Sequence, residues 1–211
     1  MNFREEKTVF WLYCFSDLPT FFTLKESDYE LSFKSHKVAI LIFHESQSAQ
    51  SAAILEATNS RWSHVGILFQ DDGQWHVAEG AQPVRIVSLP VFIARGKNQT
   101  IRVYRLPGLT DAQKKQLRTE INVHLGKIYD IYFEWSDDLV YCSELVYKVF
   151  LSTVGVRIGT LQKFRDLRVD GPYVKELIRR RITDTGRTLN LDEPIVTPIS
   201  QLSDPKLVRI E

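Results

Sequence analysis

The sequence predicts an α+β fold built on an antiparallel sheet, and three observations carry that prediction. Two runs of strand-forming residues meet across Asp72-Gly73, a dipeptide suited to a tight hairpin turn. Segments with helical spacing lie before and after the strands rather than alternating with them. The 211 residues are 44% hydrophobic and 11% aromatic, enough for one sizeable core.

In chain order, residues 1 to about 35 are rich in Phe, Tyr and Trp without a sustained period of 2 or 3.6. They read as an extension, packed against the domain or partly disordered, with residues 36–211 forming the domain proper. Phe10, Trp11, Phe21 and Phe22 of the extension suit core packing better than a lipid-facing surface. His36–Phe43 reads as a buried strand, and Ser48–Asn59 as a helix opened by a Ser cap. The hairpin joins Trp62–Gln70 to Gln74–Ala81, and further strands are expected at Val84–Leu89 and Thr100–Leu106. Thr110 and Gln113 form a capping-box pattern. It opens a helix with Leu117, Ile121 and Leu125 on one face, ending at Gly126. A helix begins near Cys142, and two short helical candidates follow at Leu161–Leu167 and Tyr173–Arg181.

Charge and cysteine content exclude several classes. A formal net charge of +1 gives no global field for nucleic acid. The run Lys175, Arg179, Arg180, Arg181 reads as a solvated helix face. The 2 cysteines, Cys14 and Cys142, sit in no CxxC or Cys/His spacing, so neither a disulfide framework nor a zinc site is expected. No metal and no cofactor are predicted; His44, His64 and His76 have no recognisable ligand spacing. The apolar run Val9–Phe15 is too short to span a bilayer and lacks a cleavage signal, which makes the cytoplasm the default location.

The stretch VYCSELVYKVF, Val140 to Phe150, carries the chemical question. Cys142, Leu145, Val146, Val149 and Phe150 fall on one helical stripe, while Glu144 and Lys148 pair at i, i+4 on the opposite face. A structural cysteine would sit on the same stripe as a nucleophile. Its place in the first turn, where the helix dipole favours a thiolate and free N–H groups can receive an oxyanion, suits the nucleophile, yet the stretch taken alone still reads first as a structural cysteine. Glu144 would repel that thiolate and is expected to point away.

A thiol nucleophile needs a base, and the chain has 5 histidines. His124 reads as a packed or rim residue, and His36 and His44, at the two ends of a strand, as loop-edge residues. With Asp72-Gly73 as a two-residue turn, Gly66 opposes Glu79 and His64 opposes Ala81. His64 and Glu79 then become diagonal neighbours on one face, with Cβ atoms about 7–8 Å apart. Gly66 would leave room for Glu79, and His76, opposite Phe69, points to the other face. A carboxylate accepting the imidazole N–H is the orienting member of a Cys-His-acid triad, although a satisfied sheet histidine and a strand-end charge would leave the same pattern.

Three stretches together resemble one family: ATNSRWSHVGI, GQWHVAEG and YDIYFEWSDDLVYCSELVYKVF. They are similar to the permuted papain-like amidases of the YiiX type, relatives of the NlpC-type cell-wall peptidases and of the lecithin:retinol acyltransferases. SQSAQSAAI, IARGKN, LQKFRDL and TPISQLSDPKL extend the likeness over roughly His36 to Leu207. The resemblance implies a circularly permuted papain-like (NlpC-type) fold, with the histidine strand ahead of the cysteine helix. It implies Cys142 as nucleophile, His64 as general base and Glu79 as orienting residue, with Tyr141, Tyr129 and Ser143 as oxyanion or auxiliary candidates. The expected activity is a cysteine amidase or peptidase working through a thioester acyl-enzyme. The alternatives are a thiol acyltransferase or lipid hydrolase, and a catalytically inactive binding module. Expected partners are a peptide, amide or acyl-lipid substrate; no nucleic acid is expected, and membrane contact is not indicated. Family members commonly carry an export signal and a GDIIF-like strand, where this chain reads VAILIF.

Overall fold

A computed structural model describes residues 40–210. The expected extension over residues 1–35, together with Cys14 and His36, lies outside the described residues. Six strands form one antiparallel sheet: β1 (Ile40–Ser46), β2 (His64–Asp71), β3 (Gln74–Glu79), β4 (Arg85–Ser88), β5 (Gly96–Arg105) and β8 (Val208–Arg209). Their order across the sheet is β4-β3-β2-β1-β5-β8. Two short strands, β6 (Gln162–Lys163) and β7 (Pro194–Ile195), pair separately.

The helices are α1 (Ser51–Thr58), α2 (Leu89–Ala94), α3 (Asp111–His124), α4 (Cys142–Val154), α5 (Pro172–Thr185) and α6 (Pro198–Leu202). Both central faces of the sheet are covered. Leu41, Phe43, Val65, Ile67 and Phe69 pack against Leu117 and Ile121 of α3 and Leu145, Val146 and Val149 of α4. The alternate positions Ile42, Leu68, Val77 and Val103 pack against Leu89, Phe92 and Ile93 of α2. A strand buried on both faces gains from apolar residues at every position, which is why β1 and β2 read as near-continuous apolar runs.

The β2–β3 hairpin has the expected register, with Gly66 opposite Glu79 and Phe69 opposite His76. Its turn places Asp72 and Gly73 at φ 47° and 80°, as a two-residue turn of this type requires. The Thr110–Gln113 capping box is also formed, Thr110 Oγ1 accepting from Gln113 N–H at 3.2 Å.

Local expectations fail where tertiary packing sets the backbone. No Ser side chain caps α1; Gln50 holds the cap position, in helical conformation, and spends its side chain elsewhere. Residues expected to be helical near Leu161–Leu167 form β6 and a single 3₁₀ turn, Phe164–Asp166. There, Phe164 and Arg165 N–H donate to carbonyls of Glu193 and Leu191 rather than within a helix. The strand expected over Val84–Leu89 stops at Ser88, and Leu89 opens the helix α2. Pro90 in its first turn and the apolar Leu89, Phe92 and Ile93 dock it onto the sheet instead.

Candidate active site

Helix α4 begins at Cys142 because Tyr141 is extended (φ −101°, ψ 169°) and its N–H donates to Glu144 Oε2 at 3.3 Å. Cys142 is therefore the first helical residue, among N–H groups that no helical carbonyl can satisfy. Glu144 does not lie on an exposed face: its side chain is fully buried, with Lys148 Nζ 2.9 Å from Oε1. Burial outweighs these contacts and lifts its carboxyl to about 7. The expected i, i+4 pair is present, but turned inward, because the surrounding layers leave no solvent face at this end of α4.

The end of the sheet brings the histidine and the carboxylate to that helix start. His64 opens β2 and Glu79 closes β3, and His64 Nε2–H donates to Glu79 Oε2 at 2.8 Å. The Cys142 thiol lies close enough to His64 for each group to shift the other's ionisation. Burial disfavours charge on both groups. The mutual attraction of imidazolium and thiolate, with Glu79 behind the ring, outweighs it: His64 rises to about 9 and Cys142 falls below its usual value. Backbone N–H groups of Val65 and Ser143 stabilise the thiolate further.

The expected room beside Gly66 is not given to Glu79. A Cβ there would meet Val77 Cγ1 at 2.4 Å and the Phe92 ring at 3.3 Å, so the glycine admits the α2 contact instead. Glu79, completely buried, is clamped by two arginines: Arg85 Nε donates to Oε1 at 3.0 Å and Arg95 Nη2 to the same atom at 2.6 Å. Burial pushes its carboxyl up, but His64 and then Arg95 outweigh it and hold it at about 2. Sequence reasoning missed both. Arg85 had a findable signal, since it stands directly opposite Glu79 in the β3–β4 register. Arg95 arrives from the loop after α2, which pattern alone could not position.

His44 is not a loop-edge residue. It is buried in β1 opposite His64, its ring stacked 5.2 Å from that of His64 and 4.3 Å from Phe92. Burial, then the charges of His64 and Arg95, push it down to about 3, so it is a neutral wall of the site. His76 faces away, as expected, and stacks on Phe69. His124 is buried on α3, 3.7 Å from Glu120.

Among the auxiliary candidates, Tyr141 Oη accepts the Val196 N–H at 3.2 Å and Ser143 Oγ donates to Val196 O at 2.8 Å. Both hydroxyls anchor the loop before α6. Tyr129 is close enough to Cys142 for a thiolate to raise its phenol further, on top of the effect of burial. Gln50 lies close enough to Tyr129 to act on its phenol, and Gln50 Oε1 accepts from Arg181 Nη2 at 3.0 Å. Arg181, expected on a solvated face, is buried and lies over the Phe133 ring. The charge run had grouped it with exposed Arg179 and Arg180, yet it falls i+7 from Val174 and i+3 from Ile178, on the face of α5 that docks on α1. Among the described residues, no set of three or more His, Cys, Asp or Glu side chains is placed to hold a metal ion, and no helix is long and apolar enough to cross a membrane.

Comparison with known proteins agrees with this architecture. Residues 37–211 match the family described as permuted papain-like amidase enzyme, YaeF/YiiX, C92 family. The uncharacterized protein YiiX of Escherichia coli K12 is 35% identical over 171 residues, spanning 81% of this chain and 83% of that protein. A crystal structure of YiiX from Escherichia coli O157:H7, whose title calls it a metalloprotein, superposes with a TM-score of 0.79 at 35% identity. It covers 83% of this chain and 96% of that one.

Proposed function

The chain belongs to the permuted papain-like amidase family of the YaeF/YiiX type, and on that footing we propose that it cleaves an amide bond with Cys142 as nucleophile, His64 as general base and Glu79 as the orienting acid. One observation carries the reading: His64, fixed at 2.8 Å on a buried carboxylate, lies beside a thiol at the start of a helix, close enough to lower its pKa.

The chemistry runs through side chains and backbone. His64 Nδ1 takes the Sγ proton, and the thiolate attacks the carbonyl carbon to form a C–S bond. Negative charge on the carbonyl oxygen is met by first-turn N–H groups of α4 and by the Tyr129 hydroxyl. The imidazolium then passes its proton to the amide nitrogen as the C–N bond breaks, and the amine leaves. Water, deprotonated by the same nitrogen, attacks the thioester; the C–S bond breaks and the acid departs. Glu79 keeps Nε2 protonated throughout, so Nδ1 remains the basic nitrogen.

The test is alkylation of Cys142 by iodoacetamide against pH, read by peptide mass spectrometry with Cys14 as internal control. The expected midpoint lies well below the usual thiol value of about 8.5 in the wild type and returns toward it in His64→Ala. An ordinary midpoint in both proteins would reject the nucleophile and leave a binding module. Cys142→Ala should abolish turnover of any amide substrate while the circular dichroism spectrum is unchanged.

A further inference from the structure

His64 is held by its face as well as by its edge. The bond to Glu79 at 2.8 Å fixes one ring nitrogen. Rotation of a histidine ring about its bond to Cβ is soft, so one hydrogen bond leaves the plane of the ring free to tilt. Two further rings lie against it. His44 stacks at 5.2 Å with planes 28° apart, and Phe92 at 5.7 Å with planes 25° apart. These two stack on each other at 4.3 Å and 18°. Offset contacts between near-parallel rings are attractive and directional.

Register and packing explain the cluster. His44 and His64 stand directly opposite in the β1–β2 ladder, so both side chains leave the same face of the sheet. Phe92 reaches that face from α2. His44 also meets the backbone of Gly96, where a Cβ would lie 3.0 Å from its Nδ1 and 3.1 Å from its Cβ. Arg95 closes the frame: its guanidinium lies 5.8 Å from the centre of the Phe92 ring and donates to Glu79. His44 is buried and uncharged, because the positive charges of His64 and Arg95 add to the effect of burial, and Glu79 and the Phe92 carbonyl offset only part of it. It therefore offers His64 a ring face without repelling an imidazolium.

The two halves of the reaction depend on this contact differently. Before acylation, attraction between thiolate and imidazolium also draws His64 toward sulfur. Once sulfur is part of a thioester that charge is gone, and the ring is aimed by Glu79 and its ring neighbours. In that state the nitrogen away from Glu79 takes a proton from water as the water oxygen bonds to the thioester carbon. The C–S bond then breaks, and sulfur recovers the proton from the imidazolium. Resting on the thiol-hydrolase reading, we propose that His44 is a positioning residue for this second half. Its uncharged ring, held by Phe92 and Gly96, fixes the plane of His64 while water attacks the acyl-enzyme.

The experiment uses the full chain and p-nitrophenyl acetate, a reactive ester with a short acyl group. Single-turnover release of p-nitrophenolate reads acylation of Cys142, and decay of the thioester by intact mass, after the ester is removed, reads deacylation. In His44→Ala, the acylation rate and the Cys142 alkylation midpoint are expected to stay close to wild type, while deacylation slows about tenfold or more. His44→Phe, which restores a ring face without a titrating nitrogen, should recover most of that loss. Phe92→Leu removes the ring that holds His44 and should slow the same step alone, which keeps the test open should His44→Ala fail to fold. Equal slowing of both steps, slowing of neither, or a folded His44→Phe as slow as His44→Ala would overturn the positioning role and leave the thiol mechanism standing. A wild-type protein whose Cys142 is not acylated, and whose alkylation does not depend on His64, would overturn the mechanism itself and this role with it.

Discussion

The backbone of Gly80 lies directly against that of Cys142: a Cβ at position 80 would sit 2.7 Å from Cys142 Cα and 2.8 Å from its N. The strand carrying Glu79 thus ends pressed on the first turn of the cysteine helix, and this contact sets the distance between acid, base and thiol. Gly80→Ala must push the two backbones apart. Activity is expected to fall by about 100-fold or more, since displacement of a reacting group by an ångström is enough for such a loss. The thermal midpoint should also drop, and wild-type turnover in this variant would show that the contact yields.

Glu79→Gln removes the charge behind His64 and leaves Arg85 and Arg95 without their shared carboxylate. We expect kcat/KM to fall about 100-fold, the lower range of general-base contributions. The Cys142 alkylation midpoint should move upward in parallel. Because both arginines are partly solvated, the loss of stability should be smaller than for a fully enclosed pair.

The pH profile of kcat/KM should be bell-shaped. The alkaline limb is expected near 9, where His64 loses its proton, and the acid limb below the usual thiol value, where the depressed Cys142 gains one. The two limbs belong to the coupled pair rather than to either residue. A profile without an alkaline limb between 8 and 10 would contradict the raised imidazole.

His44 has the opposite sign. Its folded-state value, about 3, lies below the usual 6.5, so the unfolded chain takes up a proton that the folded one refuses. It therefore withdraws stability as pH falls from 6.5 toward 3, by about 1.4 kcal/mol per pH unit at most. His44→Gln keeps a donor for the Phe92 carbonyl but does not titrate. Denaturant melts across that window should show a shallower acid loss in the variant.

Arg181 donates to Gln50, whose side chain lies beside Tyr129. Arg181→Met should lower kcat more than it raises KM, by about tenfold, as the phenol loses its fixed position. Tyr129→Phe should lower kcat too, and the double variant should cost less than the two effects combined, because both act through one hydroxyl. Full additivity would separate Arg181 from Tyr129.

Much of the site was legible in local pattern. The Asp72-Gly73 turn sets the hairpin register, and the period of two then puts His64 and Glu79 on one face before any tertiary contact is known. The apolar stripe from Cys142 to Phe150 and the Thr110–Gln113 box are likewise local, because helix caps and two-residue turns depend on neighbouring residues alone. Family motifs supplied the link from His64 to Cys142, which no periodicity contains.

What the tertiary structure decided is everything that depends on layers meeting. Glu144 looks solvated by helical period, yet packing of neighbouring layers closes over it, and Arg181, read with its charged neighbours, shares the buried Val174–Ile178 stripe of α5. His44 looks like a loop edge until α2 docks Phe92 onto it. Arg95 reaches Glu79 only because a loop folds over the sheet, and Gln50 reaches Arg181 only because α1 lies on α5. A chain's period fixes which side of an element a residue occupies; whether that side meets water, a charge or a cavity is fixed by the element packed against it.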